Sequence, residues 1–249
     1  MALTATATET VRNEVMRELE MAKCVQVSRS PDRPNIFYEV YTRTTMDSDL
    51  LWLLSSLREN LHKAPRVIVY CQSLDMCSEL YAHFHFELGE ASYCPPGAEK
   101  LCKNRLFAMF HASTPQLNKE VILQSLLEIN GIVRVVFATI ALGMGVNLQG
   151  VNTIVHYGAP QSIEDYFQES GRGGRNGENA RSIIYWKPSD CPVRHEPSTP
   201  QHHKLIAVRN YLENTTSCRR QLLMNFFLSD WVQPAKDTIR CCDVCSTII

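Results

Sequence analysis

Short apolar runs rich in β-branched residues alternate with longer helical patterns along most of this chain, and that alternation constrains the fold most. Residues 66–71 (RVIVYC) predict a strand, and residues 74–88 (LDMCSELYAHFHFEL) predict a helix. The same patterns predict further strands at residues 105–112, 133–139, 151–158 and 180–186, and further helices at residues 115–130, 162–170, 204–213 and 218–228. Strands joined by helices are usually parallel, and strands that are apolar on nearly every residue are covered on both faces. The chain is therefore predicted to form an α/β fold, a parallel sheet with helices on both faces.

Proline-rich segments divide the 249 residues into three predicted regions. Residues 33–190 hold the sheet, and residues 191–249 form a small helical region after a Pro/His-rich stretch. Residues 1–32 contain a short strand pattern at residues 2–8, a helix pattern and a linker, which together indicate the edge of a preceding domain. The alternative for residues 2–8 is an edge strand of the same sheet.

Charge and hydropathy limit the partners that this chain can bind. The formal net charge is −1, so any binding of nucleic acid must come from local patches and not from bulk positive charge. The longest apolar runs are too short to span a bilayer, and the N-terminus lacks a secretory signal, so we expect no membrane association. Without a secretory context, the ten cysteines are expected to be reduced thiols or metal ligands rather than disulfides.

Four of those cysteines have the spacing of a metal site. Cys242-x-x-Cys245 is a common metal-knuckle spacing, with Cys241 beside it and Cys218 before a helix pattern. Four thiolates suit tetrahedral zinc, and we predict a structural zinc site from Cys218, Cys241, Cys242 and Cys245. The alternatives are free thiols with an incidental C-x-x-C, a redox C-x-x-C, or a ligand set that includes His202 or His203.

An arginine-rich turn, YFQESGRGGRNG, follows a strand and a helix pattern. Arg172 and Arg175 are three residues apart at the predicted helix end, so both can converge on one anion, and Gln168 adds a neutral hydrogen-bonding group one turn earlier. A solvated Arg/Gly loop and an RGG tract that binds nucleic acid are the alternatives. The sequence has no G-x-x-x-x-G-K-[ST] phosphate-binding loop of its own.

A second glycine-containing segment, ATIALGMGVN, directly follows a predicted strand. Thr139 ends that strand, at the sheet edge where ligands gather in open α/β folds. Gly143 and Gly145 allow backbone amides to face a phosphate or a neighbouring domain, although an ordinary turn is equally compatible with this pattern.

Together the motifs resemble one known family. ALTATAT, the Arg33-Pro34-Asn35 triplet, VIVYCQS, FHAS, ATIALGMGVN, YFQESGRGGRNG and the Cys218…CCDVC tail occur in the order seen in the RecQ family of DNA helicases, and the tail resembles the Werner and Bloom branch. The resemblance covers essentially the whole chain. It implies that residues 33–190 form the second RecA-like motor domain and residues 191–249 the zinc-binding subdomain. Residues 1–32 would be the remnant of a first motor domain.

The resemblance also implies a role for each matching residue. Arg175 would be the arginine finger, with Arg172 and Gln168 beside it facing the ATP γ-phosphate. The single-stranded DNA path would be lined by motifs that contain Ser73, His111 and Thr139. The DNA and ATP sites would be linked at the domain cleft by Gly143, Gly145 and Asn147. The zinc would be held by Cys218, Cys241, Cys242 and Cys245.

The implied activity is ATP-dependent, 3′–5′ unwinding of duplex DNA in repair, recombination or replication, with Mg²⁺, ATP and a structural Zn²⁺. The implied partners are single-stranded and duplex DNA and a first motor domain, in cis or in trans. Because the phosphate-binding loop and the acidic D-E-x-H motif are absent from this sequence, we expect this chain alone to be inactive. The family is nuclear in a eukaryote and cytoplasmic in a bacterium.

Three positions depart from the family pattern. Ser113 replaces a usual glycine, Leu142 an aromatic residue and Leu148 a common lysine, which leaves the strength of DNA coupling open. The competing hypotheses are a stand-alone DNA-binding or regulatory module that has lost ATPase activity, and a zinc-dependent interaction domain.

Overall fold

A computed structural model describes residues 9–21, 24, 25, 27, 30–139, 142, 148–192, 199–228 and 241–247. The strand predicted at residues 2–8 lies outside the described residues, and so do the three positions Gly143, Gly145 and Asn147. Among the residues that are described, no helix is long and apolar enough to cross a membrane.

The described part of the chain contains one six-stranded, fully parallel sheet in the order β1-β6-β5-β2-β4-β3. The strands are β1 (Ile36–Thr42), β2 (Arg66–Cys71), β3 (Phe107–Phe110), β4 (Val135–Ala138), β5 (Val151–Tyr157) and β6 (Ala180–Trp186). The predictions for β2 and β6 match the observed ends, whereas β3 and β4 are four residues long and shorter than predicted.

Nine helices are described within the same residues. They are α1 (Glu9–Glu18), α2 (Met46–Asp49), α3 (Leu51–Asn60), α4 (Leu74–Leu88), α5 (Gln116–Leu127), α6 (Ile163–Ser170), α7 (Pro200–Glu213), α8 (Arg219–Phe227) and α9 (Asp243–Thr247). Helix α7 begins four residues earlier than predicted because the Thr199 side chain accepts a hydrogen bond from the His202 amide, a cap that the Pro/His-rich composition obscured.

Alternate residues of the central strands point to opposite faces, and each face carries helices. Val69 of β2 packs in the cluster that contains Leu57 of α3 and Phe84 of α4, whereas Ile68 packs in the cluster that contains Ile122 of α5. Helices α6, α7 and α8 pack in a third cluster with residues of β1 and β6. Burying each such aliphatic or aromatic side chain contributes about 1.5–3 kcal/mol. Because helices pack on both faces of the sheet, the prediction of a sheet covered on both faces is confirmed.

Strand β1 and helix α3 were not among the predicted elements. The β1 sequence IFYEVYT follows two prolines and includes Glu39, which weakens its apolar signal. Glu39 is nevertheless only 5% exposed, because Arg181 of the neighbouring strand binds it through two hydrogen bonds of 2.8 and 2.9 Å. Cross-strand pairing with a cation therefore makes a charged residue compatible with this buried position.

The C-terminal residues cover the outer edge of β1. The Tyr38 amide donates to the Cys241 carbonyl oxygen at 3.2 Å, and the Val40 amide donates to Asp243 Oδ2 at 3.0 Å. An edge strand with unpaired amides is a template for aggregation, so these bonds close an edge that would otherwise be open. They also bring three of the four predicted zinc ligands onto the sheet.

Candidate functional site

The two predicted arginines lie in a loop (residues 171–178, here called the arginine loop) that joins α6 to β6. Helix α6 ends at Ser170, and the amides of Arg172 and Gly173 donate to the carbonyl oxygens of Glu169 and Ser170, each at 3.1 Å. These are tight turns and not a continuing α-helix. The expectation that both arginines share a helical face is therefore wrong, because glycines on either side end the helix before Arg172.

The arginines are nevertheless brought together. The Arg172 side chain is buried, whereas Arg175 and Gln168 are exposed. Partial burial lowers the pKa of Arg175, and the positive charges of Arg172 and Arg33 lower it further. The Arg175 guanidinium is thus repelled by the charges of Arg172 and Arg33. A polyanion bound at this point would relieve that repulsion.

The Arg33-Pro34-Asn35 triplet binds the backbone of the arginine loop through its side chains. The Arg33 guanidinium donates to the carbonyl oxygens of Gly171, Gly173 and Gly174 at 3.1, 3.2 and 2.7 Å. In the sequence this triplet is recognisable only as a motif that the family shares, and no role for it could be predicted. Its only signal in the sequence is an arginine and an asparagine separated by one proline, and the pairing spans about 140 residues.

A buried hydrogen-bonded pair, His156 and Glu169, connects the end of α6 to β5. His156 Nε2 and Glu169 Oε2 are 2.8 Å apart, and the Tyr70 ring stacks on the imidazole with centroids 5.3 Å apart. Burial raises the pKa of Tyr70, and the nearby Arg172 charge opposes that rise. The last turn of α6 is thus connected to β2 and β5 by side chains that no sequence motif indicated.

The three residues predicted to face single-stranded DNA lie along one edge of the sheet. Ser73, His111 and Thr139 follow the carboxyl ends of β2, β3 and β4, which are neighbouring strands in register. Ser73 is exposed, and the other two are partly exposed. The Ser73 hydroxyl also caps α4 by accepting from the Met76 amide at 3.1 Å. The arginine loop contacts the opposite ends of the strands, because the Gly174 amide donates to the Val151 carbonyl oxygen at 2.8 Å.

Two of the three departures from the family pattern are core residues here. Leu142 is 0% exposed and Leu148 is 4% exposed, and both pack in the cluster that contains Ile122 of α5. Ser113 is exposed. Packing in the core therefore accounts for a leucine at positions 142 and 148.

The four predicted zinc ligands converge at one point. The sulfur atoms of Cys218, Cys241, Cys242 and Cys245 all lie within 4.8 Å of one another. The Cys218–Cys241 and Cys241–Cys242 sulfur distances are 3.5 and 3.9 Å. Sulfur atoms at about 2.3 Å from a tetrahedral zinc are about 3.8 Å apart, so the donor set fits the ion.

The same geometry bears on the alternatives for this cluster. Sulfur separations of 3.5 and 3.9 Å are far longer than a disulfide bond, and none of the ten cysteines, all of which lie among the described residues, forms a disulfide. Hydrogen bonding with Cys218 lowers the pKa of Cys242 to about 5, which favours a thiolate. Neither His202 nor His203 belongs to the group of potential ligands that these four cysteines form among the described residues.

Comparison with known proteins places this combination of sites in one family. Residues 49–177 match the family model of the helicase conserved C-terminal domain, and residues 180–246 match the RecQ zinc-binding model. The chain belongs to the RecQ family. The second match includes all four cysteines of the cluster, and the resemblance inferred from the sequence motifs is confirmed.

Relatives match over nearly the whole chain but are much longer. The "ATP-dependent DNA helicase hus2/rqh1" of Schizosaccharomyces pombe is 29% identical over 98% of this chain and 18% of its own length. The "ATP-dependent DNA helicase RecQ" of Haemophilus influenzae is 31% identical over 98% of this chain and 36% of its own length. This RecQ chain therefore spans between about a fifth and about a third of these relatives.

Solved structures agree on the fold. Saccharomyces cerevisiae Dbp5 bound to RNA and ADP BeF3 matches with a TM-score of 0.54 and 16% identity, over 84% of this chain and 48% of that chain. The predicted RecA-like α/β fold is confirmed.

Proposed function

We propose that this RecQ chain supplies the arginine-bearing half of an ATP site in an ATP-dependent, 3′–5′ DNA helicase. The observation that carries the proposal is the arginine loop, in which buried Arg172 and exposed Arg175 lie on a backbone that the Arg33 guanidinium binds through three hydrogen bonds. Arg175 is the arginine finger that reaches the γ-phosphate oxygens, and Arg172 and Gln168 lie beside it. The names of the relatives, which are ATP-dependent DNA helicases, support the same reaction.

Hydrolysis of ATP transfers the γ-phosphoryl group to water and leaves ADP. The protein contributes mainly position and charge, and an arginine finger contributes roughly 10³–10⁵ in rate by stabilising charge on the transferred group. The phosphates themselves, with Mg²⁺, require a phosphate-binding loop, and this sequence contains none. In our proposal a first motor domain supplies that loop in cis or in trans, and this chain alone does not turn over ATP.

The DNA path in this proposal follows the carboxyl edge of β2, β4 and β3. Ser73, His111 and Thr139 present hydroxyl and imidazole groups there, which suit sequence-independent contacts with a single-stranded backbone. Residues 33–190 are the second motor domain. Gly143, Gly145 and Asn147 link the DNA edge to the ATP site, which the family resemblance supports.

A structural zinc ion completes the proposal. Cys218, Cys241, Cys242 and Cys245 hold it, and it fixes α8 and α9 of residues 191–249 against β1. We place the protein in the nucleus of a eukaryote or the cytoplasm of a bacterium, as its family suggests, with single-stranded and duplex DNA as its partners.

The test joins this chain to the phosphate-binding motor domain of a RecQ helicase and measures DNA-stimulated ATP hydrolysis. Arg175→Ala should lower kcat by roughly 10³-fold or more and leave the KM for ATP within a few-fold. Arg209→Ala is the matched control, because this partly exposed arginine of α7 pairs only with the exposed Glu213 one turn away among the described residues.

Two outcomes would contradict the proposal. Unchanged turnover in Arg175→Ala would remove the finger role. A fusion that binds single-stranded DNA but shows no ATP hydrolysis, with the motor-domain fusion of a known RecQ as positive control, would favour the DNA-binding module that has lost catalysis.

A further inference from the structure

Arg33 binds the backbone of the arginine loop through three side-chain hydrogen bonds. Its guanidinium donates to three carbonyl oxygens, those of Gly171, Gly173 and Gly174, at 2.7 to 3.2 Å. The carbonyls of Gly171 and Gly173 lie on either side of Arg172 in the sequence, and the Gly174 carbonyl directly precedes Arg175. A planar guanidinium with five fixed donors can hold several diverging acceptors at once, which a lysine ammonium cannot do with the same geometry.

Asn35, directly before β1, binds the same loop. Its Nδ2 donates to the carbonyl oxygens of Gly174 and Glu178 at 2.9 and 2.6 Å, and its own carbonyl accepts from the Ala180 amide at 2.9 Å. Both ends of the arginine loop are therefore bound to one short segment (residues 32–35, here called the clamp segment).

The clamp segment is itself anchored to the region of the zinc cluster. Arg220, two residues after Cys218, donates to the carbonyl oxygens of Pro34 and Ile36 at 3.1 and 2.7 Å. Its Nη1 also lies 3.3 Å from Asp32 Oδ1, and the arginine side chain is only 2% exposed. One continuous set of hydrogen bonds thus runs from α8 through the clamp segment to the arginine loop.

We propose that Arg33 is a positioning residue for ATP hydrolysis, which sets the direction of Arg172 and Arg175 by fixing the carbonyls between them. This inference rests on the proposed function, because it requires the arginine loop to act on ATP. Arg33 touches the backbone of the loop and acts through Arg175. Asn35 has the same role at the far end of the loop, and Arg220 holds the clamp segment in place.

The test uses Arg33→Ala and Arg33→Lys in the chain fused to a phosphate-binding motor domain. A displacement of about 1 Å at a reacting group lowers a rate by about 10²-fold, so kcat should fall roughly 10- to 100-fold in both variants, with the KM for ATP within a few-fold. Guanidinium ion at a sub-denaturing concentration should restore part of the lost kcat in Arg33→Ala but not in Arg175→Lys. Arg209→Ala on α7, which removes a partly exposed pair with Glu213, is the matched control and should retain kcat.

A second measurement reads the loop without using ATP. Amide hydrogen exchange should become faster in residues 171–178 of Arg33→Ala, while residues 200–213 and 219–227 exchange as in the parent. Retained zinc content and an unchanged exchange pattern in α7 and α8 show that the variant is folded. Faster exchange throughout the chain would mean general destabilisation and would overturn the positioning role.

The outcomes separate this inference from the function on which it rests. If Arg175→Ala lowers kcat and Arg33→Ala does not, the positioning role is wrong and the finger role stands. If Arg33→Ala loosens only the loop while Arg175→Ala has no effect on turnover, the clamp exists but the proposed ATP site is wrong.

Discussion

Gly174 lies so close to Asn35 that a β-carbon built on the glycine would stand 2.5 Å from the asparagine Nδ2. The same β-carbon would also overlap the Glu178 carbonyl oxygen, and the Gly174 φ angle is +56°. Only glycine combines this backbone conformation with so close an approach. The packing of the clamp segment against the arginine loop therefore requires a glycine at this position.

We predict that Gly174→Ala destabilises the protein more than Gly177→Ala. Gly177 also has a positive φ, +86°, but a β-carbon there would meet nothing within 4 Å. Both variants bear a left-handed strain of about 1–2 kcal/mol, and Gly174→Ala adds an overpacking term of about 1–3 kcal/mol. Urea unfolding of the two variants measures the difference. Equal losses in free energy of unfolding would mean that the loop moves away from Asn35 at no cost.

A second prediction concerns Arg220, which is buried among the carbonyls of the clamp segment. Arg220→Met keeps much of the side-chain volume but leaves Asp32 and two carbonyl oxygens without their donor. Removing one partner of a buried ion pair costs about 3–5 kcal/mol, so the free energy of unfolding should fall by that order.

The control for Arg220 is Arg209→Ala on α7. Arg209 pairs with Glu213 one turn away, and both side chains are a third to a half exposed. Such exposed pairs contribute about 0.3–0.5 kcal/mol. If Arg220→Met is as mild as this control in chemical denaturation, the clamp segment does not depend on the arginine.

Local patterns in the sequence were sufficient for most of the sheet but not for the contacts that build the site. Strands β2 and β6 are buried at almost every residue, and such continuous apolar runs are visible without the fold. Strand β1 was missed because Glu39 interrupts its pattern and is balanced by Arg181, a neighbour only in space.

The candidate site shows the same limit. The pairing of Arg33 with Gly174 joins residues 141 positions apart, and no local periodicity encodes it. The cysteine cluster could be predicted because two of its ligands carry a short, recognisable spacing and the other two lie within thirty residues of them. The end of α6 at Ser170 agrees with the predicted helix at residues 162–170, but the i, i+3 spacing of Arg172 and Arg175 beyond that end was wrongly interpreted as a continuing helical face.

A third prediction is that the purified chain contains one zinc ion and that its removal loosens the C-terminal helices. The four thiolates fit one tetrahedral ion, and metal binding in such small regions is coupled to folding. Chelation should speed hydrogen exchange in residues 200–228 and 241–247 and lower the thermal midpoint.

Cysteine substitutions provide the matched comparison for zinc. Cys245→Ser should reduce the zinc content measured by metal analysis, whereas Cys102→Ser, at a partly exposed thiol outside the cluster, should not. A folded parent without zinc, or a full zinc content in Cys245→Ser, would contradict the four-cysteine site.

A last prediction separates the capping role of Ser73 from its proposed role in the DNA path. Ser73→Asp keeps an oxygen that can cap α4, since aspartate is as good an N-cap as serine, so stability should be unchanged. The new carboxylate would face the DNA phosphates, and two like charges about 4 Å apart in water repel by about 1 kcal/mol, roughly a fivefold loss of affinity.

Thr199→Asp is the control, because Thr199 caps α7 in the same way and lies outside the proposed path. Fluorescence anisotropy with a single-stranded oligonucleotide should show weaker binding for Ser73→Asp alone, and the deficit should shrink as salt screens the repulsion. Equal affinities for the two variants would exclude the carboxyl end of β2 from the DNA path.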